Sequence, residues 1–157
     1  MFTKTFLLIT CLVIICLVFV IVLTSCRGRR EARQFNSIAN SLTAREMLDR
    51  NLQYRRDGNA RLLRLTMHSS RRNATLDLNN LVRFDVLSIE EEWTDELAQD
   101  WQSTNNFYAT TSFVVKYDIE FREERRQLNG IYTDRFVFIK EYEDSPWLLF
   151  AQGRAFI

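Results

Sequence analysis

The sequence predicts an α+β domain, with N-terminal helices packed on a curved antiparallel sheet, behind an apolar membrane or signal helix. Three observations lead there. Residues 6–23 carry no charge, proline or glycine, and four arginines (Arg27, Arg29, Arg30, Arg33) crowd just behind them. A capping signature followed by apolar residues at helical spacing begins soon after residue 41. From "LVRFDVLSIEE" onward the period falls to 2, in segments separated by turn residues. Helices first and strands afterwards is the order of an α+β fold.

At 1.5 Å per residue the apolar segment spans roughly 27 Å, close to a hydrocarbon core of about 30 Å. The apolar stretch of a secretory signal is shorter, about 7–15 residues. Leu23-Thr24-Ser25-Cys26 resembles the bacterial lipobox, a branched apolar residue and two small residues before a cysteine. That resemblance implies a signal peptide over residues 1–26, cut before Cys26, with the Cys26 thiol acylated. The alternative is a retained transmembrane helix in which Cys26, like Cys11 and Cys16, is a small apolar residue. The positive-inside rule sets Lys4 against the four arginines and by itself favours a cytoplasmic domain. The lipobox favours the extracytoplasmic face of the cell membrane, which is the expected location. All three cysteines lie in the first 26 residues, so the domain behind them has no disulfide framework and no cysteine metal site.

Residues 27–40 read as an Arg-rich tether, lying on anionic headgroups or simply solvated. Residues 41–157 form the domain. In "SLTAREMLDRNLQYRRDGN", Thr43 and Glu46 have capping-box spacing, and Ala44, Met47, Leu48 and Leu52 form one stripe. Gly58 stops the helix. A second short helix falls at "NARLLRLTM", followed by a polar loop, "SSRRNATLDLNN". Then come a strand at "LVRFDVLSIEE", a helical turn at "TDELAQDW", and the strand "SFVVKYDIEFRE". In that strand Phe113, Val115, Tyr117, Ile119 and Phe121 share one face, and Val114, Lys116, Asp118, Glu120 and Arg122 the other. Asn129-Gly130 turns the chain into "IYTDRFVFIKEYE", and "EDSP" leads into "WLLFAQGRAFI", completing an antiparallel meander.

The helical hairpin, "VLSIEEE", "FVVKYDIEF", "RFVFIK" and above all "SPWLLFAQG" resemble the bacterial domain of unknown function 4829 over residues 41–157. The resemblance implies a lipoprotein setting and a cystatin-like α+β roll of the nuclear transport factor 2-like, ketosteroid isomerase-like kind. After "SPWL" the family pattern continues with an apolar residue, two acids and an aromatic before the glycine. Here the run is Leu149-Phe150-Ala151-Gln152-Gly153, so any chemistry carried by those acids is absent.

Lys+Arg 21 against Asp+Glu 20 leaves a net charge of +1, which excludes a global field for nucleic acid. The possible pocket lining is Phe113, Val115, Tyr117, Ile119, Tyr132, Phe136 and Trp147, with Phe138 and Leu149 on facing strands. It is either filled core or a small apolar pocket with tyrosine hydroxyls as polar handles. Asp118 and Glu120 fall on the wet face and are read as solvated, and His68 as a cap or simply exposed. The pairs Arg55-Arg56, Arg71-Arg72 and Arg125-Arg126 read as solvated ion pairs, and Glu90-Glu91-Glu92 as an exposed strand end. No catalytic residue, metal or cofactor is expected. The expected function is a non-catalytic binding or interaction module, with the membrane and an unknown protein or small apolar ligand as partners. An isomerase-like enzyme and a structural part of a cell-envelope assembly are the alternatives.

Overall fold

The computed structural model describes residues 29–73, 77–92, 106–123 and 128–154. The apolar segment, Cys26, "TDELAQDW" and Arg125-Arg126 lie outside the described residues. The chain divides into two units, Met1–Ser37 and Ile38–Ile157. The described part of the first is helical, in a helix (α1) that covers residues 29–38, where the sequence reads as a tether. Among the described residues no helix is long and apolar enough to cross a membrane.

The second unit begins with a 3-10 turn, Ala39–Ser41, and two helices, α2 (Ala44–Arg56) and α3 (Ala60–Leu65). The capping box forms as expected. Thr43 Oγ1 accepts from the Glu46 N–H at 3.2 Å, and the Glu46 carboxylate accepts from the Thr43 N–H at 2.8 Å. That satisfies two of the orphan donors of the first turn. Gly58, at φ +64°, makes the break between the helices, and Asn59 Oδ1 caps α3 by accepting from the Leu62 N–H at 3.1 Å.

Four strands follow, β1 (Leu81–Glu91), β2 (Ala109–Phe121), β3 (Gly130–Lys140) and β4 (Leu148–Arg154), in an antiparallel sheet of order β1-β2-β3-β4. This is the expected meander, and the fold is α+β. Bulges mark the ladders: the register shifts at Val82 and Leu87 in β1, and at Phe150 in β4. The segment after α3 runs parallel to β4, where Thr66 O accepts from the Leu149 N–H (2.9 Å) and Leu149 O accepts from the His68 N–H (3.0 Å).

Cross-strand partners define the inner face. Phe113 lies opposite Phe136, Val115 opposite Asp134, and Tyr117 opposite Tyr132. α2 lies over this face, and Met47, Leu48, Leu52, Leu63, Phe84, Phe113, Phe136 and Phe138 are buried. Each such side chain contributes on the order of 1.5–3 kcal/mol on leaving water.

Charge organises the open part of the outer face. Arg83 reaches Asp118 (2.7 Å), Asp85 (3.6 Å) and Glu120 (3.6 Å). Arg135 grips Glu92 with two bonds of 2.6 and 2.7 Å, and these hold the Glu92 carboxyl below the usual carboxylate range. An acid lowered in the folded state stabilises the fold above its ordinary value, and that stability is lost as pH falls through the lowered one. Arg135→Gln is therefore expected to cost below about 1 kcal/mol near neutral pH, because both partners are partly exposed. The difference from the unsubstituted chain should vanish in urea unfolding curves as pH falls through the lowered Glu92 value.

Candidate functional site

The inner face holds a chain of buried polar side chains, and helix periodicity starts it. On α2, Asn51 and Arg55 extend the stripe of Ala44, Met47, Leu48 and Leu52, so they point at the sheet rather than at water. Thr66, just past α3, donates its hydroxyl to Leu63 O at 2.7 Å and accepts from Asn51 Nδ2 at 2.7 Å. Asn51 Oδ1 accepts from Arg55 Nε at 2.8 Å. Arg55 Nη2 donates to Gln152 Oε1 on β4 at 2.7 Å. Gln152 Nε2 donates in turn to Asp134 Oδ2 on β3 at 2.9 Å, and the Tyr117 hydroxyl of β2 donates to the same oxygen at 2.8 Å. Hydrogen bonds thus run unbroken from α3 to the middle of the sheet.

Aromatic rings surround the charged end. The Arg55 guanidinium lies over the Phe136 ring, 5.2 Å from its centroid. Tyr117 stacks between Phe84 (4.9 Å) and Tyr132 (5.9 Å), and the Tyr132 hydroxyl turns away to donate to Leu128 O. Burial pushes the Arg55 guanidinium down to about 10, opposed by the negative charge of Asp134, so it is still a cation at neutral pH. Burial, and after it Asp134, pushes the Tyr117 hydroxyl well above its ordinary value, so it keeps its proton and acts as a donor.

The expected lining divides. Phe113, Val115, Tyr117, Ile119 and Phe136 are buried together on the inner face, while Tyr132 is half-buried at its edge. Trp147 stands apart, half-buried just before β4, with Lys140 Nζ 5.9 Å from its ring centroid. Asp118 and Glu120 lie on the outer face with Arg83, as alternation requires. His68 is a cap: its Nδ1 accepts from the Ser70 N–H at 3.3 Å, and its Nε2 faces Glu141 at 3.2 Å. Among the described residues no group of three or more His, Cys, Asp or Glu could hold a metal ion.

The arginine pairs need correction. Arg55 is buried in the network instead of solvated. Arg56, Arg71 and Arg72 direct Nε to backbone carbonyls, those of Phe84 (3.3 Å), Phe150 (2.9 Å) and Met67 (3.2 Å). A guanidinium can cap carbonyls that a bulge or a sheet edge leaves over, which a pairing rule based on neighbouring acids does not anticipate.

Asp134, Gln152, Asn51 and Thr66 are the members that sequence reasoning passed over. Two signals pointed to them. Asp134 alternates with Tyr132, Phe136 and Phe138, and Asn51 falls seven residues after Ala44 on the apolar stripe. Compared with known proteins, the chain matches no family model, no curated protein and no solved structure.

Proposed function

We propose that this chain is a membrane-anchored extracytoplasmic protein, lipidated at Cys26, whose α+β domain is a roll of the nuclear transport factor 2-like kind and serves as a non-catalytic binding or interaction module. What supports the non-catalytic reading is one observation: the inward carboxylate, Asp134, is engaged by the protein itself, with two donors on one oxygen. A general base has to reach a substrate proton, and a carboxylate spent on Tyr117 and Gln152 serves as an internal counter-charge instead. Helices followed by an antiparallel meander, with aromatic residues along the inner face, support the roll.

An isomerase-like enzyme is the second reading, favoured by the same residue, since Asp134 is a carboxylate among aromatic rings with a tyrosine hydroxyl on it. Turnover of an enolisable substrate that stops with Asp134→Asn, in a variant that still folds, would establish that reading.

The anchor is tested by intact-mass measurement of protein extracted from membranes. Lipidation predicts a chain beginning at Cys26 and carrying acyl mass, and Cys26→Ala should leave an uncut, unacylated precursor. A mass equal to the full 157 residues without lipid would contradict it.

A further inference from the structure

We infer that Asp134 is the counter-ion of the buried Arg55, and that Gln152 is a positioning residue that carries the attraction between them from the helix through two strands. Arg55 and Asp134 meet through an amide. Gln152 Oε1 accepts from the cation at 2.7 Å, and Gln152 Nε2 donates to the anion at 2.9 Å. A carboxamide is suited to that place because it accepts and donates at once. A carboxylate there would face Asp134 as a like charge, and an aliphatic side chain would leave both ions unpaired in a dry interior.

The remaining bonds agree. Asn51 accepts from Arg55 Nε, fixing the guanidinium plane against Phe136, and Tyr117 supplies the second donor to Asp134 Oδ2. The charge is thereby pinned in direction as well as position. The result is a latch between α2 and the sheet, made of β2, β3 and β4 side chains, which seats the helix on the inner face.

The latch has a property that ordinary packing lacks: its negative charge can be moved one place along the chain of bonds. In Asp134→Asn/Gln152→Glu, the carboxylate at position 152 accepts from Arg55, and the amide nitrogen at position 134, standing where Oδ2 stood, donates one hydrogen to that carboxylate and the other to the Tyr117 hydroxyl oxygen. Each contact keeps a hydrogen between its partners, with Tyr117 turned from donor to acceptor and the anion now beside the cation.

Thermal unfolding of the full-length chain in detergent micelles tests this with three variants. Asp134→Asn is expected to lower the midpoint by more than about 10 °C, because it leaves a buried cation without its counter-ion. Gln152→Glu is expected to lower it too, since two carboxylates then share one arginine. The double variant should return to within about 3 °C of the unsubstituted chain, a coupling that independent packing effects do not produce. Should Asp134→Asn fail to fold, recovery of a folded double variant carries the same support. A double variant as unstable as the worse single change, or an Asp134→Asn midpoint that does not move, would overturn the inference.

Discussion

Arg55→Ala is expected to cost about 3–5 kcal/mol, a large part of the stability of a domain this size. The change removes more than one interaction. Asp134 keeps its burial and loses its counter-charge, while Asn51 Oδ1 and Gln152 Oε1 each lose a donor. Phe136, which is fully buried, loses the guanidinium from its face. Arg55→Lys should not rescue the variant. An ammonium is a point charge and does not reproduce a planar fork that bonds two acceptors while lying on a ring. Arg55→Met should recover part of the loss by filling the space, but not the share that comes from the unpaired carboxylate. Guanidinium chloride unfolding of the three variants, with comparable slopes, measures the order Met above Ala and Lys below the unsubstituted chain.

Tyr117→Ala is the second large change. The ring is 2% exposed, stacked between Phe84 and Tyr132, and its removal leaves a cavity in the centre of the inner face. A loss of about 3 kcal/mol or more is expected. The hydroxyl adds a pH signature. Because burial and Asp134 raise it above the ordinary tyrosine value, its contribution is complete below about pH 10 and is lost as pH rises beyond that. Denaturation curves should therefore weaken at alkaline pH, and a variant without the hydroxyl should weaken less.

Much of this fold could be read from local pattern, and the reasons are specific. The Thr43–Glu46 capping box and Gly58 at φ +64° depend on a few neighbouring residues, so spacing alone identifies them. The strands were legible because from Phe113 to Phe121 every second side chain of β2 is buried and those between are half-buried or exposed, although Thr110 and Ser112 on that second face are buried too. What escaped depends on partners distant in the chain. Arg55 beside Arg56 looks like a solvated pair until β4 brings Gln152 to it, 97 positions away. Asp134 looks like another strand carboxylate until the register sets it opposite Val115 on the buried face. Polar residues on an apolar stripe were the available clue, and a composition-based reading treats them as exceptions instead of a group. For His68 the sequence left capping and plain exposure both open; Ser70, two residues away, decides for the cap, and the pairing with Glu141 depends on a partner 73 positions away.

On the proposed reading, the polar groups of the inner face serve the fold, as a self-contained charge latch, and are not held ready for a substrate. The unfolding free energy of Tyr117→Phe tests it most directly, since that change deletes one oxygen and keeps the ring. The hydroxyl donates to Asp134 at 2.8 Å, so its loss should destabilise the chain by about 1–3 kcal/mol, the worth of a buried hydrogen bond to a charged group. A variant as stable as the unsubstituted chain, or more stable, would contradict the claim. Groups kept for binding or catalysis commonly lower stability, and their removal relieves that burden.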